Sequence, residues 1–379
     1  MCDALEVPRI ALAILLAVAA CSRLPPTHVE TFASVAKRLQ ESRGVTFDLP
    51  KLTVLTRAQW IERLGEPDGW QPDYDAIWKA MGFVGESAEP SEDFRAVERR
   101  FDGYYNFDEH EVVYITDTPI RERQMAHSLV HAMQRERSPL YDLPALGGHG
   151  DDVGWAYTVA REAEAISYEL AWPDASIDSI DPDQLRFPAN GLAPYAVRWA
   201  YFGYVVGARY LRARFKGSLR ETCDAIWKNP PLSTEQALHP ERNDPPIAVF
   251  APDLSMEMGK GWRLVVTTVL GEWTIADWIG FGQPKIDGGL PDDLRWGGDV
   301  AQVYRNKEDE RTILVWTVWD DDASARNFDE RLRGVKVHSG KVVAVAFGGS
   351  TELLRAGLKK LRAVPFRTVE ELEAAIESE

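Results

Sequence analysis

The hydrophobic period of this chain changes once, and that change bounds the fold more tightly than any other feature. Up to about residue 240 apolar side chains recur mostly at helical spacing. Beyond about 260 short β-branched and aromatic runs take over, separated by helices. The stretch between, 241–258, carries Pro245-Pro246 and Pro252 and reads as a boundary. Two units follow: residues 31–245, mostly helical around a small sheet, and residues 260–379, a small α+β domain with an antiparallel sheet. With 379 residues, 45% of them apolar, there is material for both cores. A net charge of −16 argues against nucleic acid as a partner, because neutralising phosphates needs clustered Lys and Arg.

Individual elements can be placed. Phe32, Val35, Ala36 and Leu39 share one face of a helix over Val29–Ser42. Leu52–Leu55 is a strand and Arg57–Leu64 a short helix. Residues 65–92, dense in Gly, Pro and Glu around a helix at Tyr74–Met81, read as a surface excursion. Glu111–Thr116 is a strand by its β-branched and aromatic content, and a helix from about Pro119 to Arg137 follows it. A loop at 138–152 precedes helices at Trp155–Ala171, Tyr195–Arg214 and Leu219–Trp227. Ser233 and Gln236 resemble a capping box. In the second unit we expect a helix over 263–280, strands at Val300–Tyr304, Thr312–Trp319 and Val342–Phe347, and helices at Ala323–Leu332 and Thr351–Leu361. The aromatics Tyr195, Trp199, Tyr201, Phe202, Tyr204 and Tyr210 recur at helical spacing and read as core.

The first residues address the chain rather than fold it. Ile10–Ala20 is an apolar run of eleven, short of the about 20 needed to span a bilayer. It fits the apolar core of a signal peptide over residues 1–20. Val18-Ala19-Ala20-Cys21 resembles the lipobox of bacterial lipoproteins, which implies lipidation at Cys21, a tether over 21–30 and attachment to a membrane. Arg9 stands alone against Asp3 and Glu6, so the usual positive charge before the apolar run is missing. Ser22 after the lipid site resembles lipoproteins sorted to an outer membrane, on its periplasmic face. Of the three cysteines, cleavage removes Cys2 and acylation occupies Cys21. Cys223 then has no partner, and burial alone must hold the fold.

Chemistry is expected at Gln124-Met-Ala-His127-Ser128-Leu-Val-His131-Ala-Met-Gln134. Histidines four apart lie one turn apart on a single helix face, so both imidazoles reach one ion. Downstream, Ala160-Arg161-Glu162-Ala163-Glu164-Ala165 offers Glu162, 31 residues after His131, as a third ligand. Spacing alone leaves that reading level with a solvated helix face.

These segments resemble a family of bacterial lipoproteins and secreted proteins related to gluzincin-type zinc metallopeptidases. The family shares a strand, an A-H-E-x-x-H-A-L-Q helix, an E-G-D-A helix and a P-P-x-S-T-E-Q-x-L-H-P-E segment. This chain has Ala126–Gln134, Glu162-Ala-Glu-Ala165 and Pro230-Pro-Leu-Ser-Thr-Glu-Gln-Ala-Leu-His-Pro-Glu241, with Trp296-Gly-Gly-Asp299 and Val315–Asp320 further on. The resemblance covers roughly 100–335 and implies a zincin-like metallopeptidase domain in residues 31–245. It makes Zn²⁺ the expected cofactor, with His127, His131 and Glu162 as ligands in preference to Glu164, which falls at the family's Asp. His239 becomes a candidate oxyanion donor at the cleft, and Glu235 belongs to the same segment. A helix-capping, packing role for that segment is the competing reading.

The departure lies at Ser128. In the family's motif a glutamate there takes the proton from the attacking water and passes it to the leaving amine. A serine hydroxyl is not basic near neutral pH, and losing a positioned acid–base costs about 10²–10⁴-fold. The expectation is a pseudoenzyme that serves in binding or envelope assembly, with a peptide or envelope protein as partner. The alternative is an active zinc metallopeptidase with a substitute base. Glu164 and Glu136 should point away, whereas His149, Asp151 and Asp152 in the Gly-rich loop are the candidates to swing in. A third reading has neither metal nor cleft and gives partner binding to the second unit, with Trp316 and Trp319 in its strand.

Overall fold

The computed structural model describes residues 26–379 except 66–71, 86, 116–119, 139–142, 175, 183–184, 186–189, 243 and 281–287. The apolar run, Cys21 and the start of the tether lie outside the described residues, as does Pro119. No helix among the described residues is long and apolar enough to cross a membrane.

The chain is mixed α+β. Its first half runs α1 (Pro26–Arg43), β1 (Lys51–Leu55), α2 (Arg57–Leu64), α3 (Pro72–Ala80), α4 (Pro90–Glu98), β2 (Gly103–Asn106), β3 (Glu111–Ile115), α5 (Glu122–Arg137), α6 (Asp151–Ala171), α7 (Pro194–Ala213), α8 (Leu219–Lys228) and α9 (Thr234–Leu238). The second half runs β4 (Ile247–Phe250), α10 (Ser255–Met258), β5 (Arg263–Thr268), α11 (Gly271–Ile279), β6 (Trp296–Arg305), β7 (Arg311–Trp319), α12 (Asp322–Arg331), β8 (Val335–Ser339), β9 (Val342–Phe347), α13 (Thr351–Leu358), β10 (Arg362–Pro365) and α14 (Val369–Glu377).

The first sheet has the order β1-β3-β2, with β1 parallel and β2 antiparallel to β3. Every residue of β3 is buried because its alternating side chains meet two layers. Val112 and Tyr114 enter the main helical core, and Val113 and Ile115 pack on Trp60 of α2. Helix α5 crosses this core with Met125–Gln134 wholly buried. Helix α6 packs between α5 and α7, and two glycines of α7 set how closely it can approach. A Cβ on Gly207 would lie 2.7 Å from Ala163 N, and one on Gly203 would lie 3.0 Å from Glu162 Cγ. The backbone of α7 therefore rests directly on the turn of α6 that carries Glu162.

The second sheet is five-stranded and antiparallel, in the order β5-β6-β7-β9-β8. Val300 and Tyr304 face one core, with Leu314 and Trp316, whereas Ala301 and Val303 face another, with Val315 and Phe328. A helix was expected across 263–280; instead Arg263–Thr268 is a strand on β6, and the helix starts only at Gly271. The run Val265-Val-Thr-Thr268 gains more from the sheet ladder than from a helix, in which β-branched side chains are crowded. Gly271 has φ 77°, and the backbone N–H groups of Leu270 and Gly271 are held by Asp299 at 2.8 and 2.9 Å.

The segment read as a surface excursion is also corrected. Ile77 and Met81 from α3 and the turn after it belong to the core of the second sheet, and Trp78 packs on α7 through Trp199. The helical core in turn takes Trp273 of α11 and Phe366, Val369 and Leu372 from the end of the chain. Strands β4 and β10 pair antiparallel, so the segment after the Pro-rich boundary is joined to the C-terminus.

Candidate metal centre

Three side chains meet where α5 passes α6. The two imidazoles, one turn apart on the same face of α5, bring their Nε2 atoms to 3.2 Å. Glu162 completes the triangle, its Oε2 3.5 Å from His127 Nε2 and its Oε1 3.4 Å from His131 Nε2. Ligands about 2.0–2.1 Å from a tetrahedral zinc stand about 3.3–3.4 Å from each other. The three separations sit at that edge length. Glu162 Oε2 is buried without a hydrogen-bond donor, which leaves a lone pair for a cation. The residues present fit the zinc that the sequence implies.

Both imidazoles have a side-chain oxygen beside their other nitrogen. His131 Nδ1 is hydrogen-bonded to Gln134 Oε1 at 3.1 Å, whereas His127 Nδ1 pairs with the Glu169 carboxylate, Oε2 at 3.1 Å, outside hydrogen-bond geometry. An acceptor at His131 Nδ1 keeps the proton there and leaves the Nε2 lone pair free, the tautomer a metal needs. Gln134 is itself fixed, because its Nε2 donates to Arg161 O and to Glu164 Oε2, both at 3.0 Å. Glu164 accepts from Arg43 Nε at 2.6 Å and from Trp227 Nε1 at 2.9 Å. The orientation of His131 is thus relayed from the end of α1. Burial opposes charge on His127, but Glu169 and Glu162 outweigh it and raise the imidazole's pKa. Burial disfavours the Glu162 carboxylate too, yet His131, His127 and Arg161 hold its pKa below the ordinary value. The site already favours a cation among these groups.

A cleft of about 560 Å³ opens over the triad, lined by Ser128, Glu169, Tyr204 and the strand β2. Tyr204 stacks on His127 at 5.4 Å and 7°. Among the described residues strand β2 is an edge of its sheet, and it runs beside the cleft. Ser128 is buried at the cleft wall, which Tyr114 also lines, its hydroxyl donating to Gln124 O at 3.1 Å. A short polar side chain stands where the resemblance places a base.

The other candidates are held elsewhere. Glu164, as expected, faces away from the triad. Glu136 accepts the Asp48 N–H at 3.0 Å. His149 packs on Phe250, Asp151 accepts from the Thr268 hydroxyl, and Asp152 accepts from Thr234 N and Oγ1 at 3.1 and 2.6 Å. None of these lines the cleft. His239 does not line it either. Its Nε2 lies 2.9 Å from Glu272 Oε1, because the Ser233-capped helix α9 packs against α11 and turns His239 toward the second half. Glu235 pairs with Arg242 in the same seam. Sequence reasoning missed Glu169, whose signal was its position seven residues after Glu162, two turns along the same face of α6. The aromatics of α7 are mostly core, but Tyr201 and Tyr204 also wall the cleft.

No family model, no curated protein and no solved structure matches this chain.

Proposed function

We propose that this protein is a zincin-like, zinc-binding pseudoenzyme of a bacterial envelope, held at a membrane by lipid on Cys21, that binds a peptide or an envelope protein. The observation that carries the reading is the triangle of His127 Nε2, His131 Nε2 and Glu162, with edges of 3.2, 3.4 and 3.5 Å. His127, His131 and Glu162 would hold the ion, Gln134 would keep His131 in the binding tautomer, and Glu169 stands beside His127 Nδ1. Zinc in such a set supplies Lewis acidity and a site for water. The chain supplies no base at Ser128, and Glu169, a carboxylate that lines the same cleft, faces His127 Nδ1 instead. An edge strand beside a cleft favours an extended peptide: among the described residues β2 is paired on one side only, next to the triad.

The test is elemental analysis of protein purified without chelator. We expect about one zinc per chain in wild type and none in His131→Ala. Zinc absent from wild type, or unchanged in His131→Ala, overturns the metal part of the reading. Radiolabelled palmitate incorporated in cells by wild type and not by Cys21→Ser checks the anchor. If a fluorogenic peptide library is cleaved by the zinc-loaded wild type and a chelator stops it, the pseudoenzyme reading gives way to an active peptidase.

A further inference from the structure

A second recess, of about 660 Å³, begins where the metal cleft ends, and Thr158 of α6 lines both. Its walls are aromatic. Trp78 of α3 and Trp155 of α6 both stand against Trp199 of α7, at 4.4 Å and 75° and at 4.7 Å and 90°. These edge-to-face contacts fix the three indoles before any ligand arrives. The recess also contains a carboxylate, that of Asp151. The Thr268 hydroxyl donates to it and the Tyr74 phenol lines the same recess, and both groups are neutral. Among the described residues, no Lys, Arg or His lines the recess and none forms an ion pair with Asp151. Burial pushes the Asp151 carboxyl up to about 6, as it must when an acid is taken from water without a counter-charge. An uncompensated acid among three tryptophans is costly for stability alone.

We propose that this recess is a binding site for a small organic ammonium ion, whose apolar body packs among Trp78, Trp155 and Trp199 and whose charged head meets Asp151. The ring faces attract a cation through their quadrupole, and the carboxylate adds a direct ion pair. The volume suits a ligand of drug-like size or smaller. The net charge of −16 draws cations toward the surface from which the recess opens. This site uses no residue of the His127–His131–Glu162 triad and stands whether or not that triad holds zinc.

Calorimetric titration of the full chain, with chelator present throughout, tests it with two probes of the same shape. 2-Phenylethylammonium chloride carries the charge, and 2-phenylethanol does not. We expect the ammonium ion to bind at least about tenfold more tightly than the alcohol, the margin of one exposed-to-buried ion pair or cation–π contact. In Asp151→Asn that margin should shrink to within about twofold while the alcohol's affinity is kept. Equal affinities in wild type, no saturable binding of either probe, or a margin that survives Asp151→Asn overturns the proposal. Should Asp151→Asn fail to fold, the wild-type comparison decides alone. Tyr74→Phe, which keeps the carboxylate, should retain the preference.

Discussion

Among the described residues two places bring three potential metal-ligand atoms within 4.8 Å of one another, and they are built in opposite ways. One is the triad of His127, His131 and Glu162. The other is the seam between the halves, where Glu235, Asp244 and Asp320 converge. In the triad two imidazoles face one carboxylate, with Gln134 behind one ring and Glu169 behind the other. In the seam three acids face one another with Arg242 on Glu235 Oε1 at 3.1 Å. Burial, then Glu272 and the neighbouring aspartates, pushes Glu235 up to about 9; burial and the hydrogen bond from Asp244 push Asp320 upward as well. Crowding pushes Glu235 and Asp320 toward their protonated forms, whereas in the triad it raises His127 and lowers Glu162. Proximity of ligand atoms is common to both. Only the triad has the orienting partners, the open cleft and the unsatisfied Glu162 oxygen that a metal site needs.

Four measurements break or sharpen that contrast. The largest effect is on zinc content: His131→Ala should lose the metal entirely, and Asp320→Asn should leave it unchanged. If Asp320→Asn also strips zinc, the seam and not the triad is the metal site. Next comes Ser128→Glu, which restores a carboxylate beside the triad. Hydrolysis of a peptide library by this variant should exceed wild type by about 10²–10⁴-fold; equal rates mean that the base was never the missing part. Smaller is the effect of the partners behind the rings. Glu169→Gln and Gln134→Ala should each weaken zinc binding about 10–100-fold in a competitive chelator titration, without touching the triad itself.

The smallest effect is thermal. Burial pushes Asp152 and Asp299 up to about 7, and Glu235 to about 9, all above their unfolded values near about 4. Acids with raised folded-state pKa values bind protons more tightly when folded. Their stabilising contribution is complete below the unfolded pKa and is lost as pH rises through 7 and then 9. The melting temperature should therefore climb as pH falls from 9 to 6, and Glu235→Gln should raise it by about 2–4 °C at pH 9 and flatten the slope. A melting temperature that falls steadily over that range would show that these acids are ionised in the folded chain.

How much of this could be read in advance depends on the range of the interaction. Helix α5 and its imidazole pair were legible, because a four-residue spacing on an apolar helix is a local fact. Strand β3, α6 and most of the second sheet were legible for the same reason. Strand β5 was misread because Val265–Thr268 fits either period by itself, and its partner β6 decides the matter. Helix α3 itself was legible, but its placement on the surface was wrong because its segment is polar in composition while Ile77 and Trp78 find their cores only across the chain. His239 was drawn to the cleft by resemblance, and the packing of α9 on α11 sends it to Glu272 instead.

By itself the sequence determined that two histidines share one helix face and that a serine stands between them. Those statements follow from residue identity and the helical repeat. Only the tertiary structure decided that Glu162 faces the histidines and Glu164 faces Arg43. Helix α7, resting on Gly203 and Gly207, presses α6 so that this turn must present one of its acids to α5. Which carboxylate meets a metal is a question of how two helices rotate against each other, and the spacing along either one leaves that rotation open.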